Sequence, residues 1–113
     1  FTKYDVWIES VSLATEVYET TLLFPADEKF AITSQIRRWS VSIPSNIAEG
    51  CGRDSNKSLS YFIQIALGSA FELETQLLLC KDIFSVEEQE TDDLIDLVQK
   101  CQKMLIGLKR SIS

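Results

Sequence analysis

Between Gln35 and Gly50 the chain reads QIRRWSVSIPSNIAEG, and at 3.6 residues per turn this stretch carries two stripes on one helix. Ile32, Ile36, Trp39, Ile43 and Ile47 form an apolar seam, and Gln35, Arg38, Ser42, Asn46 and Glu49 form a polar row beside it. A helix that needed only a wetted face would carry scattered Lys and Glu, so a polar row next to a core seam predicts side chains with partners of their own. Pro44 lacks an N–H and its ring crowds the carbonyl of Ser40, which predicts a kink. A bent helix is preferred to two separate ones because the seam keeps its phase across the proline. Ser40, Ser42 and Ser45 are at hand to bond the freed groups. Gly50-Cys51-Gly52 ends the helix.

The same reading places three more helices. The first is expected to follow an Asp5 N-cap and to run to about Leu23, with Trp7, Val11, Ala14, Tyr18 and Leu22 as its core face. Phe24-Pro25 ends it, Pro25 and Asp27 begin a turn, and the second helix starts near Ile32 or Thr33. Asp54 or Ser55 caps a third helix, from about Asn56 to Lys81, that is apolar nearly all round between Tyr61 and Cys80. A bundle helix buries one side only, so the surplus apolar face predicts contact with another subunit, unless the third helix lies centrally among the other three. The fourth helix, from about Val86 to Ser111, repeats Leu94, Val98, Cys101, Leu105, Leu108 and Ile112 in a near-heptad rhythm. Acids between Glu87 and Asp96 open it and Lys100, Lys103, Lys109 and Arg110 close it, which suits the helix dipole and reads as solvated ends rather than a binding patch. No strand alternation or internal repeat competes. The expectation is an all-α, antiparallel up-down-up-down four-helix bundle, one domain over residues 1–113, kinked at Pro44 and assembled as a homo-oligomer.

Composition narrows the chemistry. The chain is 45% apolar and 25% charged, proportions of an ordinary globular domain. No apolar run reaches the length of a membrane span, and the opening FTKYDVWIESV does not read as a secretory signal; its Phe start leaves residues upstream open. There is no histidine, which removes the commonest general base and metal ligand and rules out the Glu-x-x-His motifs of di-iron bundles. Cys51, Cys80 and Cys101 form no C-x-x-C pair, so a reducing cytoplasm fits best, with Cys80 and Cys101 as core residues. No cofactor, metal, membrane or small-molecule substrate is expected. The net charge of −6 argues against general binding to a nucleic-acid backbone. Yet from Lys29 to Phe71 five basic residues face two acids, +3 locally, which leaves −9 for the remainder.

Several runs resemble a known family: Gln35-Ile36-Arg37-Arg38, then Ser42-Ile43-Pro44-Ser45-Asn46-Ile47-Ala48-Glu49-Gly50, then Ala66-Leu67-Gly68-Ser69-Ala70, and Glu72-Leu73-Glu74-Thr75-Gln76-Leu77. Together they are similar to the bacterial four-helix-bundle proteins encoded by 23S rRNA intervening sequences, often described as ribosomal-protein-like. The likeness extends from Tyr4-Asp5-Val6-Trp7 to the fourth helix. It implies an antiparallel four-helix bundle assembled as a homopentamer. The family also resembles the accessory variability determinant of diversity-generating retroelements, a basic pentameric barrel that contacts nucleic acid and a reverse transcriptase. This chain departs from that relative in charge, since five copies at −6 carry about −30.

Three functional readings compete for the same polar residues. In the first, Ser69, Glu72 and Gln76 face Gln35, Arg38, Ser42, Asn46 and Glu49 in a network of Arg–carboxylate and amide bonds, within or between subunits, that fixes helix register. The protein is then a non-enzymatic oligomeric scaffold or adaptor. In the second, Arg37, Arg38, Arg53 and Lys57 gather into a cluster that contacts RNA, or the surface takes another protein. The third makes Glu49 or Glu72 a general acid or base, but no nucleophile arrangement, metal set or phosphate loop accompanies them. The scaffold reading is the one adopted, with RNA association as its alternative.

Overall fold

The described residues form four helices, α1 (Lys3–Thr21), α2 (Phe30–Cys51), α3 (Asn56–Phe84) and α4 (Glu88–Ile112), and no strand. Residues 1–24, 30–84 and 88–112 are described by a computed structural model. The expected turn at Pro25 to Asp27 and the expected helix start at Val86 lie outside them.

α1 begins before Asp5, not after it. Thr2 is the N-cap: its Oγ1 accepts the Asp5 N–H at 3.0 Å, and the Asp5 carboxylate accepts the Thr2 N–H at 2.9 Å. This reciprocal pair satisfies two donors that a helix start leaves open, and the bond from the Thr2 backbone is the main reason the Asp5 carboxyl sits below its ordinary range.

The buried face of α1 also differs from the one expected. Val6, Leu13 and Val17 are the core residues, with Ser10 and Thr21 buried in the same row. Ser10 Oγ donates to the Trp7 carbonyl and Thr21 Oγ1 to the Val17 carbonyl, each at 2.7 Å. A hydroxyl satisfied by its own helix can be buried at little cost, so these positions behave as core although they read as polar. Trp7, Val11, Tyr18 and Leu22, expected inside, are 37%, 37%, 44% and 75% exposed.

α2 runs through Pro44 as one helix, starting just ahead of the expected Ile32. Ile36, Ile43 and Ile47 are fully buried, and Ile32 and Trp39 pack on the edge of the core. α3 is capped by Ser55, whose Oγ accepts the Ser58 N–H at 3.1 Å. At Gly50 the two helices come close together: a Cβ there would lie 3.0 Å from both Leu59 Cδ1 and Phe62 Cβ. Along α4, Leu94, Val98, Cys101, Leu105 and Leu108 are all buried, as their spacing predicts.

Each helix packs on its neighbours in sequence, and α4 packs on α1. Among the described residues the backbones of α1 and α3, and those of α2 and α4, do not approach as neighbours do, so α3 is not a central helix surrounded by the others. Gln35 meets Gln76, Ser42 meets Ser69, and Gly50 lies against Leu59, so numbers rise along α2 as they fall along α3. The pairs Gln64–Lys109, Glu74–Gln99 and Lys81–Asp92 repeat that relation between α3 and α4. The result is an elongated body of 45 × 20 × 18 Å. Its outer surface keeps Tyr61, Phe71, Leu78 and Leu79 of α3 between 45% and 63% exposed.

Candidate functional site

The polar row of α2 divides according to the direction each side chain takes from the helix. Gln35, Ser42 and Asn46 lie on the flank towards α3, where Ser69 and Gln76 meet them. Ser42 Oγ is at the centre, 2.8 Å from Ser69 Oγ and accepting from Asn46 Nδ2 at 3.0 Å, while the same amide nitrogen donates to the Ser42 carbonyl at 2.8 Å. A hydroxyl with one proton and two lone pairs can serve both neighbours at once. One level along, Gln76 Nε2 donates to Gln35 Oε1 at 2.8 Å, and Gln76 Oε1 is buried with no partner among the described residues.

The charged members of the row stand apart. Arg38 and Glu72 are exposed, and neither makes a polar contact within the described residues. Glu49 pairs instead with Arg53, one turn further along its own chain. Within the chain, the α2–α3 boundary is therefore held by amides and hydroxyls, not by Arg38 and a carboxylate.

The four cations singled out for RNA contact form two groups. Arg37 is engaged with α1: its Nε donates to Thr21 Oγ1 at 2.8 Å and its guanidinium lies 4.9 Å from the centre of the Tyr18 ring. Arg53 is paired with Glu49 and lies 4.9 Å over Phe62. At 1.5 Å of rise per residue, Arg38 and Cys51, the last residue of α2, are separated by roughly 20 Å along the helix axis, and Arg53 lies just beyond that end. Arg38 and Lys57 make no polar contact among the described residues.

A second polar seam, between α3 and α4, escaped the sequence reading. Gln102 is buried, and its Nε2 donates to Glu74 Oε1 at 2.9 Å while Gln99 Nε2 reaches Glu74 Oε2 at 2.9 Å. The signal available was Gln102 beside Cys101 in the heptad seam, across from the Glu74 of a motif already noted.

Residues 2–107 match the family described as 23S rRNA-intervening sequence protein. The chain belongs to that family. A protein of unknown function from the S23 ribosomal protein family of Bacteroides thetaiotaomicron has a crystal structure that superposes with a TM-score of 0.89 at 22% identity, over 97% of this chain and 99% of that one. That likeness is one of fold. No curated protein matches this chain.

In this member of the 23S rRNA-intervening sequence family, a groove lies between α1 and α2 beside the polar seam. It has a volume of about 410 Å³ and is lined by Val11, Ala14, Tyr18, Leu22, Arg37 and Pro44. A second hollow of about 320 Å³ adjoins it at Tyr18 and Arg37 and is bordered by Arg38. Among the described residues no set of three or more His, Cys, Asp or Glu is placed to hold a metal ion.

Proposed function

We propose that this member of the 23S rRNA-intervening sequence family is a non-enzymatic scaffold or adaptor, an up-down-up-down bundle in the bacterial cytoplasm that works as an assembly of identical copies. Five copies is the number the family resemblance implies. The observation that carries the reading is the apolar surface left outside the bundle: Trp7, Tyr18 and Leu22 on α1, and Tyr61, Phe71 and Leu79 on α3. Apolar positions on two separate faces of a small domain indicate contact surfaces. The inner polar groups support a structural role, because Ser42, Ser69 and Asn46 direct their hydrogen bonds to one another and, among the described residues, no carboxylate bonds either serine. The antiparallel order is supported by the level pairs from Gln35–Gln76 to Lys81–Asp92.

RNA association through Arg37, Arg38, Arg53 and Lys57 is the rival reading. It is tested by titrating nuclease-treated protein with structured RNA over a salt series. The scaffold reading expects no salt-dependent binding. Binding that weakens steeply with salt and drops in Arg53→Glu and Lys57→Glu would overturn it in favour of an RNA-binding assembly.

A further inference from the structure

Arg37 is held in place by α1 and has donors to spare. Its Nε donates to Thr21 Oγ1 at 2.8 Å and its guanidinium lies 4.9 Å from the centre of the Tyr18 ring, so the side chain is fixed at the α1–α2 boundary. Among the described residues only the Nε–H of that guanidinium is hydrogen-bonded, which leaves the N–H groups of both terminal nitrogens open. The hollow of about 320 Å³ beside it is lined by Tyr18, Thr33, Ser34, Arg37 and Arg38. Two cations, two aliphatic hydroxyls and a phenol border one hollow, and among the described residues no carboxylate lines it. Arg38 is exposed and makes no polar contact within the described residues, so nothing there offsets the repulsion between the two guanidiniums. Thr33 lies in the first turn of α2, where the helix dipole adds positive potential.

The hollow does not stand alone. It shares Tyr18 and Arg37 with the α1–α2 groove, whose walls include Val11, Ala14, Leu22 and Pro44. Together they form one cleft with a cationic, hydroxyl-bearing end and an apolar body, on the scale that small ligands occupy. Glu19 lines the groove but not the hollow, so an anionic group is drawn to the arginine end and repelled from the other.

We propose that this cleft binds a small organic phosphate monoester. Arg38 and the terminal N–H groups of Arg37 hold the phosphate oxygens, Thr33 and Ser34 donate their hydroxyls, and the apolar part of the ester lies in the groove against Val11, Leu22 and Pro44. The donor supply selects phosphate, because two guanidiniums and two hydroxyls offer more hydrogen bonds than a carboxylate can accept, whereas a monoester has three free oxygens and a second charge. A nucleic-acid strand fits less well. Its diester brings a sugar and a further phosphate to a place where the cleft has apolar walls and Glu19. The sequence reading, which turns Tyr18 into the core, expects no small molecule here. The site is made within one chain, so the inference goes beyond the scaffold reading and does not rest on self-assembly.

The test is calorimetric titration with phenyl phosphate, inorganic phosphate and benzyl alcohol, with the protein mass followed by light scattering in the same solutions. Phenyl phosphate is expected to bind about tenfold or more tightly than inorganic phosphate, since only its ring buries apolar surface in the groove. Benzyl alcohol, which lacks the anionic head, is expected not to bind. Arg38→Ala is expected to keep the circular dichroism and melting temperature of the ligand-free parent, and to weaken phenyl phosphate by about tenfold or more. Inorganic phosphate bound as tightly as phenyl phosphate, or phenyl phosphate bound equally well by Arg38→Ala, overturns the proposal. A parent protein that does not bind phenyl phosphate overturns it too, and structured RNA that then binds the parent but not Arg38→Ala would assign the cations to a nucleic acid. A monomeric mass alongside the expected binding overturns the assembly reading and leaves this one intact.

Discussion

The hydroxyls of Ser42 and Ser69 lie 2.8 Å apart across the boundary between α2 and α3, with Asn46 donating to the first at 3.0 Å. Replacing one partner strands the other in a part-buried site. Ser42→Ala is expected to lower unfolding stability by about 1–2 kcal/mol in urea titration. Ser42→Ala combined with Ser69→Ala is expected to lose less than the two single losses together, since the second substitution removes a group already stranded. Strictly additive losses would show that the pair is not coupled.

At Gly50 the same two helices lie close together. A methyl group there lies 3.0 Å from Phe62 Cβ, an atom fixed to the α3 backbone that cannot swing aside. Overpacking of this kind costs roughly 1–3 kcal/mol, enough to outweigh the better helix propensity of alanine. Gly50→Ala should therefore melt below the parent protein. A higher melting temperature would mean that α2 and α3 separate freely at this level.

Arg37 and Arg38 are neighbours in sequence with opposite expectations. Arg37 combines a hydrogen bond to Thr21 with a stack on Tyr18, a geometry that depends on the planar guanidinium. Arg37→Lys keeps the charge but is expected to lose about 1 kcal/mol of bundle stability. Arg38→Lys has no bond among the described residues to lose and is expected to unfold at the same urea concentration as the parent. Equal effects at the two sites would contradict the placement of Arg37 against α1.

The three cysteines should separate by reactivity. Cys51 is exposed, whereas Cys80 and Cys101 are buried. Burial, aided by the nearby Glu9 carboxylate and opposed by Lys100, pushes the Cys101 thiol up to about 12. Folded protein treated with a thiol reagent is expected to modify Cys51 quickly, and Cys80 and Cys101 only after unfolding. The raised thiol favours the neutral form in the folded state. Its contribution to stability is complete below the ordinary thiol range and is lost as the pH climbs through that range towards about 12. Removing the thiol with Cys101→Ala should flatten this alkaline loss in unfolding measurements.

How much of this was legible in the sequence depended on whether a residue's partner lay within its own helix. The seams of α2 and α4 could be read directly, because Ile36, Ile43, Val98 and Leu105 are apolar at helical spacing and are buried. The face of α1 could not. Its buried row includes Ser10 and Thr21, which look polar until their hydroxyls are seen bonded to carbonyls one turn back, while its exposed row holds the larger apolar residues. At the site, the facing of Gln35 and Ser42 towards Gln76 and Ser69 followed from the two stripes. That Arg37 and not Arg38 would find a partner did not, because Thr21 and Tyr18 belong to another helix whose rotation the spacing had set differently. The surplus apolar surface of α3 was readable, but the share contributed by α1 emerged only with that rotation.

The most direct test of self-assembly is multi-angle light scattering of the purified, nuclease-treated chain at micromolar concentration. The account predicts a mass that is a multiple of the 12.8 kDa subunit, with five copies giving about 64 kDa. A single species at 12.8 kDa, unchanged as concentration rises, would contradict it.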